Sequence, residues 1–320
     1  MMIAPASDRP AQTIVLSKVP PLMALYAKAL APDLEGLAHR VSRRLPVGAR
    51  PVVEASSTAL PTETHSAIYR SINAEHLAQY QRLFGLPSSI ELPAGFLHVL
   101  AFPLATAHMV SSQFPLPLLG MVHLSNTIEV ARPVTIDEQL EVFAWSRNMR
   151  PHHKGTAVDI VAEIHVSGEV VWRGISTYLA KGKYLIGKAA APQDREDFVP
   201  PAPTALWTLQ ASTGRDYASV SGDRNPIHMS ALTAKPFGYS RAIAHGMYTA
   251  ARALEEARLI RPASYVWTVE FAKPVLLPGK VSVAITKNDA PTGVPSSVSY
   301  SGWNARTNQV HFTGRISPLV

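Results

Sequence analysis

The 320-residue sequence contains no cysteine and no long apolar run, and only 17% of its residues are charged. The absence of cysteine excludes disulfides, thiolate metal ligands and a cysteine nucleophile, and it favours a reducing compartment such as the cytoplasm. No stretch approaches the roughly 18 uninterrupted apolar residues that a membrane span requires. We therefore expect a cytoplasmic protein without a membrane span.

Acidic residues are fewer than basic ones, which gives a formal net charge of +7 and a pI near 9.6. This balance suits a phosphate-bearing or acidic partner, although a basic surface can also serve solubility alone. The densest basic group, Arg40, Arg43, Arg44 and Arg50, lacks the interleaved aromatic residues of a nucleic-acid groove. We expect no nucleic-acid partner.

Two short segments recur at nearly the same spacing, which indicates a duplication. The segment TIEVARPV (127–134) returns as TVEFAKPV (268–275), with five identities in eight positions and an offset of 141 residues. The segment EVVWRG (169–174) is echoed by QVHFTG (309–314) at an offset of 140 residues. The two halves of the chain are therefore interpreted as copies of one domain.

Both halves predict the same order of elements. In the second half, a strand over 205–212 and a short helix over 213–222 precede a longer helix over 245–260 and an antiparallel run of strands. In the first half, the long helix is predicted to begin at His98 and is apolar on nearly every side, as is typical of a helix enclosed by a sheet. Pro103 would remove one of its backbone hydrogen bonds unless it lies in the first turn.

A long apolar helix enclosed by an antiparallel sheet is the hot-dog arrangement, so the sequence predicts an α+β double hot-dog fold. The predicted divisions are an N-terminal arm over 1–65 without a counterpart in the second half, a first hot-dog domain over 66–186, a linker over 187–203 and a second hot-dog domain over 204–320. Alanine, proline and charged residues are enriched in the linker.

A polar motif in the second half resembles the signature of a known enzyme family. The segment SGDRNPIH (221–228) lies within a longer stretch, 217–247, that is similar to MaoC-type (R)-specific enoyl-CoA hydratases and 3-hydroxyacyl-thioester dehydratases, also called hydratase 2. The segment FAKPVLLPGKVSV (271–283) continues the resemblance, which covers about the last third of the chain. The stretch LPAGFLHVLAFPL (92–104) resembles the degenerate partner half of fused two-domain members.

The resemblance implies a hydro-lyase that needs neither a cofactor nor a metal. It would reversibly add water to trans-2-enoyl thioesters, or remove it from (3R)-hydroxyacyl thioesters, with Asp223 and His228 acting as a dyad through one water. The backbone N–H of Gly246, at a helix N-terminus, would stabilise negative charge on the thioester oxygen. Asn225 and His245 are expected to brace the loop or to lie beside the substrate.

Taken alone, these residues leave two alternatives open. Asp223 and Asn225 could cap a turn while His228 packs in the core. Asp223, His228 and His245 could also form a facial iron or zinc site. No second carboxylate or HExxH spacing accompanies the three residues, which argues against the metal site.

The first half is expected to lack a catalytic site of its own. Alignment of Tyr80 with Tyr217 places Gly85 opposite Gly222 and Leu86 opposite Asp223, and no Asn-Pro-x-His segment follows Leu86. Since leucine cannot transfer a proton, the first half is interpreted as a structural and substrate-binding half.

The expected partner is an acyl-CoA or an acyl-carrier-protein thioester. Lys273 and Lys280 are candidates for contacts with CoA phosphates, and exposed surface lysine is an equally good interpretation. The fused halves predict a monomeric pseudo-dimer or a homodimer. The alternative functions are a hot-dog acyl-CoA thioesterase and a non-catalytic acyl-CoA-binding subunit.

Overall fold

The computed structural model describes residues 3–30, 58–191, 198–288 and 296–319. The basic group at 40–50 and part of the predicted linker lie outside these residues. None of the described helices has the length and apolar character needed to cross a bilayer.

In the described part of the chain, the strands form one sheet of eleven strands. The strands that precede the linker are β1 (Gln12–Val15), β2 (Glu63–Tyr69), β3 (Met121–Val130), β4 (Leu140–His152), β5 (Gly155–Val166) and β6 (Glu169–Lys181). The strands that follow it are β7 (Ala205–Leu209), β8 (Tyr265–Phe271), β9 (Gly279–Asn288), β10 (Ser297–Trp303) and β11 (Val310–Pro318). Their order in the sheet is β1-β2-β4-β5-β6-β3-β8-β11-β10-β9-β7.

The sheet order repeats the duplication seen in the sequence. Strands β2-β4-β5-β6-β3 of the first half correspond to β7-β9-β10-β11-β8 of the second half, and the two sets meet where β3 pairs antiparallel with β8. Thr127 lies opposite Thr268, its own counterpart in the repeated segment. A pseudo-two-fold axis therefore passes through this pair, and the predicted double hot-dog fold is confirmed.

Two helices of the first half lie against the sheet. Helix α2 (Ala74–Phe84) begins at Asn73, whose side chain accepts hydrogen bonds from two backbone amides, and it ends at Gly85 in the left-handed conformation. Helix α3 (Ala94–Met109) is buried on nearly all sides and packs against β2, β4, β5 and β6. It begins at Ala94, so the predicted start at His98 is wrong: the apolar run extends one further turn. Pro103 lies in its interior and removes the hydrogen bond to the carbonyl of Val99.

The helices of the second half carry the polar motif between them. Helix α4 (Thr213–Ser221) ends at Gly222, also left-handed, and α7 (Gly246–Glu256) packs on β8 and β11. Two short helices, α5 (Pro226–Met229) and α6 (Ala231–Ala234), lie in the loop between them. Helices α2 and α4 contact one another, as expected for counterparts on either side of a two-fold axis.

The described parts of the N-terminal arm pack on the first half. Its strand β1 pairs parallel with β2, and its helix α1 (Leu22–Leu30) packs against α3. The prediction that residues before 66 have no counterpart in the second half is wrong at its boundary, because β2 begins at Glu63 and occupies the position of β7.

Candidate active site

A cavity of about 280 Å³ lies at the boundary between the two halves. The predicted residues Asp223, Asn225, His228, His245 and Gly246 all line it. Side chains of the first half complete the wall, among them His98, Phe102, His123 and Tyr178. The structure thus brings the sequence motif to a pocket that neither half forms alone.

The loop after α4 presents Asp223 to this cavity. Gly222 adopts a φ of 73°, which turns the chain sharply at the end of the helix. Two residues after Asp223, the Asn225 side chain accepts a hydrogen bond from the backbone N–H of Ile227 and so starts α5, which carries His228. Asn225 therefore braces the loop from within.

His228 is held with one ring nitrogen committed to the backbone. Its Nδ1 donates to the carbonyl of Ile243 at 2.8 Å. Burial lowers the pKa of His228 to about 3, so the ring is neutral near pH 7. With the proton on Nδ1, Nε2 carries a free lone pair and can accept a proton.

Asp223 is an anion surrounded by donors. Its Oδ1 accepts hydrogen bonds from the Tyr26 hydroxyl at 2.5 Å and from the backbone N–H of Asn225 at 3.1 Å. Burial acts to raise the pKa of Asp223. The neighbouring His245 and His228 rings and these two hydrogen bonds act in the opposite direction and prevail, so the pKa lies below its ordinary value.

His245 ties the loop to the start of α7. Its Nε2 donates to the backbone carbonyl of Asp223 at 2.9 Å and lies 3.7 Å from Oδ2 of the same residue, while its ring stacks on His228 with centroids 3.6 Å apart. The side chains of Asp223, His228 and His245 also place ligand-type atoms within 4.8 Å of one another. This spacing alone carries no metal assignment, and the expectation of a metal-free site stays a prediction.

Gly246 is the first residue of α7 and lines the cavity. The N–H groups of a first helical turn have no partner inside the helix, so this one is available to a ligand oxygen. A side chain here would meet the Phe271 ring, since a Cβ would lie 2.9 Å from two ring atoms. Close packing of α7 on β8 therefore accounts for glycine at this position.

The two lysine candidates have different positions. Lys273 is exposed and lines the cavity. Lys280 lies on β9 opposite Thr208 and is not among the residues around the cavity, so the structure does not bring it to the site. Lys181, at the end of β6, lines the cavity and was not anticipated.

Several further site residues come from outside the motif. Tyr26 belongs to the arm, while His98, His123 and Tyr178 belong to the first half. The ring of His123 stacks on Tyr178 with centroids 4.5 Å apart, and burial lowers the pKa of His123 to about 3 and that of His98 to about 4. The spacing of Leu22, Leu25 and Tyr26 could have indicated an amphipathic helix. No sequence signal could have indicated what that helix covers.

Comparisons with known proteins agree with this arrangement. A family described as the MaoC like domain matches residues 188–300. The 3-hydroxyacyl-thioester dehydratase X of Mycobacterium tuberculosis is 32% identical over 247 residues, which are 77% of this chain and 88% of that protein.

Solved structures extend the likeness to the fold. A crystal structure of HtdX from Mycobacterium tuberculosis has a TM-score of 0.68 and 29% identity, covering 79% of this chain and 99% of that one. A MaoC-like dehydratase from Phytophthora capsici has a TM-score of 0.55 and 17% identity, covering 80% of this chain and 95% of that one. At this lower identity the likeness shows the fold alone.

Proposed function

The chain belongs to the MaoC-like dehydratase family, and from this premise we propose that it reversibly hydrates trans-2-enoyl thioesters to (3R)-hydroxyacyl thioesters. The observation that carries the proposal is the arrangement of Asp223, His228 and the Gly246 amide around one cavity. The similarity to a protein named 3-hydroxyacyl-thioester dehydratase supports the same reaction class.

His228 is the proposed base toward water. Its Nε2 takes a proton as the water oxygen bonds to the β-carbon, and Nδ1 stays bonded to Ile243 throughout. The pair formed with Asp223 then delivers that proton to the α-carbon. One water has been added and both groups have regained their starting charges; dehydration follows the same steps in reverse. The two groups interact closely, so they act as a coupled pair.

Asp223 orients the water and stabilises the imidazolium that forms on His228. Its charge raises the proton affinity of the neighbouring ring, in opposition to burial. A positioned acid–base pair of this kind contributes about 10²- to 10⁴-fold in rate. The carboxylate is available for this role because it is already ionised at neutral pH.

The Gly246 amide is the proposed donor to the thioester oxygen. This oxygen gains negative charge as the α-carbon becomes enolate-like, and a helix N-terminus favours such charge. The N–H is fixed before substrate arrives, since α7 packs on β8 and β11.

The thiol carrier is proposed to enter past Lys273 and Lys181. Both are exposed and line the cavity, so either can meet the phosphates of CoA or the acidic surface of an acyl carrier protein. We further propose a cytoplasmic location, from the absence of cysteine, and a monomeric pseudo-dimer or homodimer.

The first experiment incubates the purified protein with trans-2-enoyl-CoAs of several chain lengths. Loss of the conjugated thioester absorbance without release of free thiol, and a (3R)-hydroxyacyl product, are expected. Release of thiol would instead identify a thioesterase. If the absorbance stays constant and no thiol is released, the protein only binds the thioester. Thiol release and the absence of any change would each contradict the proposal.

The second experiment tests the dyad. Asp223→Asn and His228→Ala should each lower kcat about 10²- to 10⁴-fold, because each removes one proton-transferring group. Asp216→Asn, an exposed acid on α4, is the matched control and should retain activity. Circular dichroism and melting temperature establish that the variants are folded. Undiminished turnover by both dyad variants would remove the assignment.

A further inference from the structure

The N-terminal arm completes the candidate active site. We propose that Tyr26 is a positioning residue that fixes the Asp223 carboxylate through Oδ1 and leaves Oδ2 as the oxygen facing the reaction. This inference rests on the proposed function, because it concerns the same carboxylate. It assigns a role to a residue far outside the family motif.

Helix α1 is held against the cavity by its apolar face. Leu22, Leu25 and Tyr26 recur at helical spacing and are all buried, with Tyr26 only 6% exposed. Apolar residues that pack against this face are Phe102, Ala107, Val110, Leu118 and Leu119. Packing therefore orders the Tyr26 ring independently of its hydroxyl.

The arm also packs on the loop that carries the carboxylate. A Cβ on Gly222 would lie 2.9 Å from Cδ1 of Leu22, so the turn before Asp223 and the start of α1 are in close contact. The contact with the Asp223 loop therefore comes from the N-terminal arm, which lies outside both hot-dog domains.

The two carboxylate oxygens of Asp223 have different surroundings. Oδ1 accepts two hydrogen bonds, from the Tyr26 hydroxyl at 2.5 Å and from the backbone N–H of Asn225 at 3.1 Å. The Tyr26 distance is typical of an O–H donor to an anion. Oδ2 lies 3.7 Å from Nε2 of His245, beyond hydrogen-bond length. Oδ2 therefore keeps its lone pairs for water or for the α-proton.

The phenol acts as a donor only. Burial and the charge of Asp223 raise the pKa of Tyr26 far above neutral pH, so its proton stays on oxygen. Other titratable groups whose charges act on Asp223, or on which Asp223 acts, are His228 and His245 from the second half, Tyr217 from α4, and His98, His123 and Tyr178 from the first half. In the described structure none of these other groups donates a side-chain hydrogen bond to the carboxylate, whereas the Tyr26 hydroxyl does.

The Tyr26→Phe variant removes the hydroxyl and keeps the aromatic ring, so it tests the hydrogen bond apart from the packing. Loss of this donor should lower kcat about 10- to 100-fold with little change in KM, since a misdirected carboxylate still binds substrate. The acid limb of the kcat/KM profile should move to higher pH, because the carboxylate loses a hydrogen bond that favours its charged form.

Tyr69→Phe is the matched control. The Tyr69 hydroxyl donates to the carbonyl of Leu100 at 2.8 Å, and neither of these two residues lines the cavity. This variant also removes one partly buried phenolic hydrogen bond, but it should keep the wild-type kcat and acid limb. Equal kinetic behaviour of the two variants would overturn the proposal. A lower melting temperature for Tyr26→Phe with an unchanged acid limb would also overturn it, in favour of a packing role.

A measurement independent of turnover completes the test. The Asp223 carboxyl can be titrated by ¹³C NMR in the full chain, with Asp223→Asn used to assign the signal. Its pKa should be higher in Tyr26→Phe than in the wild type, and an identical pKa would overturn the inference. A wild type without hydratase activity would refute the proposed function alone, because this titration still decides the role of Tyr26.

Discussion

Burial and hydrogen bonding leave His228 neutral and Asp223 anionic at the same pH. The imidazole is neutral because burial lowers its pKa to about 3, and its tautomer is set by the Ile243 carbonyl. The carboxylate is charged because neighbouring rings and two donors outweigh the effect of burial. Both groups are therefore in the working form for water activation well below neutral pH.

The pH profile of kcat/KM should reflect these protonation states. We expect activity to be flat between about pH 6 and 8 and to fall only when more acidic conditions protonate Asp223 or His228, because both groups have lowered pKa values. Initial rates measured after brief dilution from a neutral stock give the profile. An acid limb near the ordinary histidine pKa of about 6.5 would contradict this expectation.

At the scale of elements, the duplicated helices α2 and α4 end alike and lead to different residues. Each terminates at a left-handed glycine, Gly85 and Gly222. Leu86 follows the first and Asp223 the second. The same helix ending therefore supports a core contact in one half and a carboxylate in the other.

Alanine at these two glycines should have unequal effects. Gly85→Ala should cost about 1–2 kcal/mol for a left-handed alanine, since nothing lies within 4 Å of the new Cβ. Gly222→Ala should cost more, because its Cβ would also meet Leu22, and it should lower kcat by moving the adjacent Asp223. Urea unfolding and enoyl thioester turnover measure the two effects. Equal losses of stability in the two variants would contradict this prediction, because they would show that α1 moves away from the new Cβ without a cost in free energy.

At the scale of the whole molecule, the β3–β8 pairing joins the halves into one sheet and one cavity. Thr127 opposite Thr268 sets the register, so each half presents the same elements to the boundary from opposite sides. The second half supplies the polar motif, and the first half supplies a wall with its own buried histidines. The two halves therefore contribute different residues to one cavity.

Buried histidines should make the protein less stable in acid. Burial lowers the pKa of His98 to about 4 and those of His108, His123 and His228 to about 3. An unfolded histidine has a pKa of about 6.5, so the unfolded state binds more protons between these values and the free energy of unfolding falls as pH drops below about 6.5. Glu255, whose pKa burial raises, acts in the opposite direction but is a single group.

Melting temperatures at pH 7.5, 6 and 5 would measure this dependence. We expect a progressive decrease toward pH 5, and a constant or rising melting temperature would contradict the burial of neutral histidines.

Local patterns predicted much of the fold because they reflect local physics. The short helix predicted over 213–222 is observed at Thr213–Ser221, since Gly222, the glycine that ends it, belongs to the segment itself. The start of α3 was missed because a helix that is apolar on all sides offers no periodic boundary. The sequence left open whether Lys273 and Lys280 are surface residues or lie at the site. That Lys273 lines the cavity and Lys280 does not depends on which strand pairs with β9.

The sequence by itself determined the duplication, the order of elements and the polar loop from Gly222 to His228, because each of these is written in residues close together along the chain. Only the tertiary structure decided that Tyr26 meets Asp223, that His98 and His123 line the same cavity, and that Lys273 reaches it while Lys280 does not. These contacts join residues far apart in sequence. They follow from the pairing of whole strands and the docking of one helix, which no local pattern records.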